Sequence, residues 1–226
     1  CDHGGNSIPV RYANLGLDEN ELERHIAYDI GALGVATKLA ESFRAPLVWQ
    51  KCSRLLIDCN RRLDHVDLIP TRSDGTLIPG NRLLDAKSGA SRIGSFFMPY
   101  HQKITEMLDR RHMLKQKTFF VSVHSFTPMM DGYRRPWDIG ILSTKNRIFS
   151  DHVMRYIENF KDYCVGDNEP YKIDSKDFTV PEHAVKRMLS NVLIEIRQDL
   201  IQNREGQEVW SRLIRDALLS AKEKVL

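Results

Sequence analysis

Two histidines occupy positions where an imidazole could bind a metal ion. His3 lies in the segment Asp2-His3-Gly4-Gly5-Asn6, where the glycines let the backbone approach a ligand closely and Asp2 could orient an imidazole. His124 follows the β-type run 119–123, so it would lie at the carboxyl edge of a sheet, where open α/β sheets place their ligands. The alternatives are an ordinary polar contact for His3 and a satisfied core histidine at 124.

A third ligand is expected from the segment between them. His25 and Asp29 stand four residues apart in a helical pattern, so both side chains would project from one face. Either residue could complete a site of two histidines and one carboxylate, and an ordinary polar patch is the alternative. Catalytic zinc typically takes three protein ligands and leaves one position for a water molecule, whose pKa falls to about 7.

Glu195 is the candidate for a general base. It interrupts the apolar run 192–194 and is followed by Ile196, and a carboxylate is costly to bury without a purpose. In such a place it could take a proton from an attacking water and return it to a leaving amine. An ion pair with Arg197 or another arginine is the structural alternative.

Four arginines are candidates for binding a substrate carboxylate, because planar guanidinium groups suit bidentate contacts. They lie beside aromatic or strand segments rather than in solvated helical runs: Arg54, Arg61, Arg135 and Arg197. A structural role is the alternative for each one.

Several other classes of function lack their usual signals. No G-x-S-x-G elbow, dinucleotide-binding or P-loop motif occurs, and the 33 basic residues are scattered among 30 acidic ones, which does not suggest nucleic-acid binding. No apolar run approaches the length of a membrane span, so we expect a cytoplasmic protein that does not bind membranes. The four cysteines form no C-x-x-C pair and are expected to be reduced thiols.

The elements that must position these residues follow from hydrophobic periodicity. Helices are predicted at about 18–43, 99–115, 151–160 and 206–224. Strands are predicted at 45–49, 55–57, 118–123, 139–142 and 191–196, and a long surface loop at 64–95. Strands alternating with helices predict a single α/β domain over 1–226, a three-layer α/β/α sandwich around a mixed, mostly parallel sheet. Because the sequence opens at Cys1 amid residues rich in chemistry, we also expect a first strand upstream.

A series of short motifs, in order along nearly the whole chain, resembles the N-formylglutamate amidohydrolase family. The motifs are CDHGGNSIP at 1–9, HIAYDIGA at 25–32, SRLLIDCNR at 53–61, PYH at 99–101, HSFTP at 124–128, RPWD at 135–138 and LIEIRQDLI at 193–201. The resemblance implies a fold similar to zinc carboxypeptidases, of the phosphorylase-hydrolase-like kind, in which a zinc-bound water attacks an amide carbonyl.

The resemblance also implies roles for particular residues. It makes His3, His124 and Asp29 the metal ligands, with His25 in reserve, and Glu195 the general base. The Asp-x-Asn-Arg element at 58–61 looks like the asparagine–arginine pair that holds a substrate carboxylate. The substrate-binding residues expected in all are Arg54, Asn60, Arg61, Arg135, His183 and Arg197. One departure is that Asn6 stands where zinc carboxypeptidases have the glutamate of His-x-x-Glu, so the carboxylate ligand must come from elsewhere.

The function expected from the sequence is zinc-dependent hydrolysis of N-formyl-L-glutamate or a similar N-acyl amino acid. A zinc peptidase or cell-wall amidase acting on a larger substrate is the alternative among enzymes. A non-catalytic binding module for small acidic metabolites is the alternative from another class; it would use the arginines without needing a base.

Overall fold

A computed structural model describes residues 1–225, and its centre is a four-stranded mixed sheet. The strands are β1 (Phe119–Phe126), β2 (Ile139–Leu142), β3 (Val165–Asp167) and β4 (Ser190–Arg197). Their order across the sheet is β1-β4-β2-β3. The β1–β4 and β2–β3 pairs are parallel, whereas β2 runs antiparallel to β4. The predicted mixed, mostly parallel sheet is therefore confirmed.

The two faces of the sheet pack against different helices, and successive residues of a strand contribute to one face or the other. In β4, Val192, Ile194 and Ile196 pack in one core cluster with the helices α2 (Ala32–Phe43), α5 (Ile148–Glu158) and α6 (Arg204–Lys224). This period of two is that of a strand whose faces differ. Trp210 and Ile214 of α6 are buried in the same cluster.

The opposite face carries a thinner layer together with the polar residues of interest. Phe120 packs with Phe97 and Ile104 beside α4 (Met98–Met113), and Leu193 packs with the π-type helix Val180–Val185. His124 and Glu195 point to this second face, because they alternate with Val123 and Ile194. Helices on both faces confirm the three-layer α/β sandwich.

The predicted helix over 18–43 is divided in two. Only α1 (Glu19–Leu22) and α2 are helical, and residues 23–31 form turns. Gly31 precedes α2 with a φ of +78°, in the left-handed region, and a Cβ there would lie 2.1 Å from the carbonyl oxygen of Ile201. The chain therefore turns at a residue where only glycine fits.

The predicted strands at 45–49 and 55–57 are wrong. The segments are irregular, and the pairing near them is a single bridge between Ser7 and Cys52. Leu55 and Leu56 are buried against Leu15 in a satellite core, so their apolar character reflects burial and not a ladder. Apolar runs of this length are ambiguous on periodicity alone.

The region 64–95 carries more structure than the predicted loop. It holds a hairpin of Arg72–Ser73 with Thr76–Leu77, short 3-10 turns at Val66–Leu68 and Pro79–Asn81, and α3 (Ala86–Arg92). A π-type turn, Ile93–Phe97, leads from α3 into α4. A second hairpin pairs Met129–Met130 with Tyr133–Arg134.

Across residues 1–225, none of the helices has the length and apolar character needed to cross a membrane.

Candidate metal-binding and catalytic site

Three of the predicted metal ligands meet at one point. His3, Asp29 and His124 each offer a donor atom, and these atoms lie within 4.8 Å of one another. His124 comes from β1, His3 from the opening loop and Asp29 from the turn before α2. The backbone N–H of Asp29 donates to the carbonyl of His3 at 2.9 Å, which ties two of the three segments together. All three side chains are buried.

Both imidazoles direct the same ring nitrogen at the cluster. Nδ1 of His124 lies 2.7 Å and Nδ1 of His3 3.3 Å from Oδ2 of Asp29. Nε2 of His3 lies 2.7 Å from Oδ1 of Asp58, and Nε2 of His124 lies 3.1 Å from Oδ2 of Asp2. Asp58 and Asp2 each accept the hydrogen of one Nε2, while both Nδ1 atoms face Oδ2 of Asp29, where a metal ion bound to these three atoms would take the place of any hydrogen on Nδ1. The donor set fits a divalent metal.

The two orienting carboxylates are themselves held in place. Asp2 accepts hydrogen bonds from the hydroxyls of Tyr100, at 2.7 Å, and Thr179, at 2.8 Å. Arg54 donates to Asp58 at 2.7 Å and to Asp29 at 3.4 Å. Arg54 was expected to bind substrate; it lines the cavity but is engaged with the carboxylates around the metal-ligand cluster.

The titration of the cluster reflects these contacts. Burial opposes ionisation of Asp29, yet the neighbouring His3 and His124 lower the pKa of its carboxyl. Burial likewise opposes the positive charge on His124, yet its hydrogen bonds to Asp2 and Asp29 raise its pKa to about 10. The pKa of Asp58 is held well below its usual range, against burial, by the charge of Arg54. The carboxylates of the cluster are therefore ionised at neutral pH.

Glu195 stands beside the cluster on the neighbouring strand. Its register partner on β1 is His124, and its partner on β2 is Gly140. Its side chain is buried, and Oε2 has no hydrogen-bond partner among residues 1–225. Burial raises the pKa of Glu195 to about 7. The predicted alternative, an ion pair with Arg197, does not form, since that guanidinium pairs with Asp138 and Asp199.

A cavity of about 530 Å³ opens in front of these residues. Its lining includes the cluster, Glu195, and three residues that the sequence assigns to substrate binding: Arg54, Asn60 and Arg61. Pockets of this size hold small molecules.

Asn60 and Arg61 are engaged with the far wall of this cavity. Nη1 of Arg61 donates to Oδ1 of Asp177 at 2.9 Å. The amide of Asn60 donates to Asp177 at 3.2 Å and accepts from the backbone N–H groups of Phe178 and Thr179. Asn60 therefore fixes the segment that ends at Thr179, and Arg61 has a protein carboxylate where a substrate carboxylate was predicted.

Arg135 is differently placed. It is 7% exposed, and Nη1 donates to the carbonyl of Thr127 at 3.3 Å and to the hydroxyl of Tyr171 at 2.9 Å. Its guanidinium lies 4.7 Å from the ring centroid of Tyr171 and 5.8 Å from that of Phe126. Tyr171, Thr127 and Phe126 all line the cavity.

Three predicted site residues lie outside these contacts. His25 borders the cavity, but its Nε2 faces Asp74 at 3.4 Å and it is not one of the clustered donors, because the turn at 23–31 separates it from Asp29. His183 and Arg197, like Arg135, are not among the described residues that line the cavity. The ring of His183 stacks instead on that of His101, and its Nε2 is hydrogen-bonded to Nδ1 of His101 at 2.9 Å.

Sequence reasoning missed three residues of this site. Asp58 was given no role of its own beside the Asn60–Arg61 pair, and its contact with His3 spans 55 positions, which no local pattern indicates. Tyr171 and Asp177 lie in an irregular stretch, 170–177, that borders the cavity. Its polar composition resembles that of any loop.

Comparisons with known proteins agree with the motifs. Residues 1–202 match the family model described as N-formylglutamate amidohydrolase. The structure is similar to that of a gene product from Agrobacterium tumefaciens, with a TM-score of 0.96 and 35% identity, covering 100% of this chain and 89% of that one. The fold is also similar to that of an N-formylglutamate amidohydrolase from Ralstonia eutropha, with a TM-score of 0.69 and 18% identity, covering 98% and 91% of the two chains. No match is found among curated proteins.

Proposed function

The chain belongs to the N-formylglutamate amidohydrolase family, and from that premise we propose that it hydrolyses the amide bond of N-formyl-L-glutamate or a similar N-acyl amino acid with one divalent metal ion. The observation that carries the proposal is the meeting of His3, Asp29 and His124 beside a buried glutamate at one cavity. A metal-dependent hydrolase uses each of these parts, whereas a module that only binds acidic metabolites has no use for the buried base.

The metal ion would be held by the two Nδ1 atoms and the carboxylate of Asp29. Two imidazoles, one carboxylate and an open position form a donor set that suits catalytic zinc. Bound there, zinc would lower the pKa of a water molecule and polarise the amide carbonyl. Asp58 and Asp2 keep the hydrogens of the two imidazoles on Nε2, so that both Nδ1 lone pairs face the metal.

Glu195 would move the proton in this reaction. Its pKa of about 7 lies near neutral pH, where a base is ionised often enough to accept a proton and is still a good donor afterwards. The unpartnered Oε2 is free to accept the proton of the attacking water and to return it to the leaving amine. The resemblance to zinc carboxypeptidases supports the same role for this glutamate.

Arg61 is the proposed contact for one carboxylate of the substrate. It lines the cavity, and its guanidinium is planar and forked. Its present partner is the carboxylate of Asp177, so an incoming substrate carboxylate would take the place of that group. Burial raises the pKa of Asp177, so this carboxylate is less firmly ionised than an exposed one.

The test combines metal content with formate release from N-formyl-L-glutamate, before and after chelation. We expect about one zinc per chain and chelator-sensitive formate release. Glu195→Gln should retain the zinc and lose about 10²- to 10⁴-fold in turnover, the usual contribution of a general base. Glu158→Gln, the same change at an exposed position of α5, is the matched control and should behave as the unaltered protein.

The outcomes separate the alternatives. Bound zinc without formate release would direct the search to other N-acyl amino acids. Absence of both zinc binding and turnover would favour the binding module. Full activity of Glu195→Gln would remove this residue from the mechanism.

A further inference from the structure

β1 has helices on both of its faces, yet one of its edges is unpaired. It pairs with β4 on one side, and none of the strands within residues 1–225 pairs with its other side. Phe119, Phe120 and Val121, at its start, are only half-buried although they are apolar. An unpaired edge leaves backbone N–H and C=O groups without partners, and proteins usually cover such edges.

Two cavities lie along this edge, one towards each helix layer. The larger has a volume of about 470 Å³ and reaches α2 and α6, whereas the smaller has about 190 Å³ and reaches α4. Both are lined by Cys1, by residues 45–47, and by Phe119 and Val121 of β1. The two cavities therefore enclose a single gap between segment 45–47 and β1. A backbone in this gap would direct its side chains alternately into the two cavities, as a β-strand does.

Cys1 lies at one end of the gap and is paired there as a strand residue is. Its nitrogen donates to the carbonyl of Val48 at 3.0 Å, and the backbone N–H of Gln50 donates to the carbonyl of Cys1 at 3.1 Å. Two bonds that leave one residue in this way, on either side of Trp49, are the pattern of a parallel ladder. The pairing of Cys1 is therefore directed along segment 45–49, into the gap.

Asp2 fixes the direction relative to β1. Its Oδ2 lies 3.1 Å from Nε2 of His124, and Cys1 lines the larger cavity together with Val123. Residues that led to Cys1 would consequently run beside β1 from Thr118 towards Val123, in the same direction as β1. At about 3.3 Å per residue, about five residues would cover this edge.

We propose that the gap binds a β-strand of about five apolar residues, formed by a segment directly before Cys1 and parallel to β1. This occupant is favoured because Cys1 already pairs as its last residue would. Parallel strands that are buried on both faces are nearly continuous apolar runs, which suits a gap between two apolar cavities. Cys1 packs in the core of α2 and α6, and Asp2 faces Tyr100 of α4, so alternate residues would fill the larger and the smaller cavity.

The strand would also position the opening loop. His3 would follow the end of the proposed strand, as His124 lies near the end of β1. Both histidines of the cluster would then lie at the carboxyl edge of one sheet, on neighbouring parallel strands, which is where open α/β sheets place their ligands.

The test is hydrogen exchange followed by mass spectrometry on three chains. The first is the chain of 226 residues, and the second carries the strand-forming extension Met-Lys-Val-Ile-Val-Leu-Val before Cys1. The third carries Met-Lys-Pro-Ile-Pro-Leu-Pro, a matched control of equal length whose prolines have no N–H for a ladder. The strand-forming extension should slow exchange of the amides of 46–49 and 118–122 at least about 10-fold relative to both other chains. Amides of β3, at the opposite edge of the sheet, are the internal reference.

The urea midpoint of unfolding gives a second measurement, and it should rise for the strand-forming extension alone. Equal exchange and equal midpoints in the two lengthened chains would overturn the proposal. It would also be overturned if the amides of 118–122 were already protected in the chain of 226 residues and sedimentation showed a dimer, because a second copy would then cover the edge. Release of a bound apolar molecule from that chain on denaturation, with the same protection, would assign the gap to a small ligand instead.

Discussion

At the scale of single residues, the proposed metal site depends on groups outside the cluster of His3, Asp29 and His124. Asp2 and Asp58 accept the hydrogen of each Nε2, so Nδ1 is the nitrogen of each histidine that a metal ion beside Asp29 would bind. Such outer partners commonly matter nearly as much as the ligands themselves.

Asp2→Asn tests this control of the tautomer. Tyr100 and Thr179 both donate to Oδ1 of Asp2, so the amide oxygen should take that place and the NH₂ group should face Nε2 of His124. Nε2 would lose its charged acceptor and keep only the hydroxyl of Ser122, at 3.1 Å, so its hydrogen would be held less firmly and the tautomer with the hydrogen on Nδ1, where the metal should bind, would gain. Zinc affinity, measured by competition with a chromophoric chelator, should fall about 10- to 100-fold. Asp64→Asn, on the surface, is the control, and equal affinities for the two variants would contradict the assignment.

That His3, His124 and Glu195 face one site could be anticipated from sequence, whereas their hydrogen-bond partners could not. His3, His124 and Glu195 stand in recognisable local settings: a glycine-rich turn, the end of a strand and an apolar run. The partner of His124 is 122 positions away, at Asp2, and only the fold brings the two together. Adjacency in sequence does not predict such pairs: Asp2, the neighbour of His3, accepts a hydrogen bond from His124.

At the scale of elements, the turn before α2 places Asp29. Gly31 lies two residues after Asp29 in the sequence. It makes the turn with a positive φ, and its Cα lies against the carbonyl of Ile201. The hydrophobic periodicity of 18–43 did not reveal the turns at 23–31, because the apolar residues of these turns have the same spacing as those of a helix. The strand predicted at 139–142 was exact in its bounds, since β-branched residues flanked by polar segments have fewer alternative structures.

Gly31→Ala should therefore affect both folding and the site. The positive φ alone costs about 1–3 kcal/mol for a residue with a side chain, and the approach to Ile201 adds to this. We expect a lower free energy of unfolding in urea and weaker zinc binding through displacement of Asp29. Gly89→Ala, in the interior of α3 with only Leu84 nearby at 3.7 Å, is the matched control. It should gain about 0.5–1 kcal/mol, and a similar gain for Gly31→Ala would refute the role of the turn.

At the scale of the whole molecule, a buried histidine pair links stability to pH. His101 donates from Nε2 to the carbonyl of Cys59, so its Nδ1 must accept from Nε2 of His183, and both rings are neutral. Burial, followed by the charge of His101, lowers the pKa of His183 to about 4, and burial also lowers the pKa of His101. In the folded chain these two imidazoles therefore stay neutral at pH values where the same imidazoles of the unfolded chain, with a pKa near 6.5, bind a proton.

The histidine pair should therefore contribute a loss of stability as the pH drops from 6.5 towards 4, because at His183 the unfolded state binds a proton that the folded state does not, on the order of 1–3 kcal/mol. Glu195, whose pKa is raised to about 7, acts in the opposite direction over the same interval, so the pair is tested by the change in slope on substitution. His183→Gln keeps a donor towards His101 and removes the titrating ring, so its unfolding free energy should depend less steeply on pH. His112→Gln, on the exposed end of α4, should keep the original slope. Identical slopes for His183→Gln and the unaltered protein would exclude the pair as the cause.

The sheet order has a consequence for how the enzyme is made on the ribosome. β4 is the last strand to be translated, yet it lies between β1 and β2 and pairs with both. Until residues 190–197 emerge, β1 lacks its parallel neighbour, and the nascent chain holds His3, Asp29 and His124 without the sheet that aligns them. The strand that completes the sheet also carries Glu195, so the sheet and the proposed general base are completed by the same segment of the chain. A chain terminated before residue 190 would lack both the strand that joins β1 to β2 and the glutamate beside the cluster.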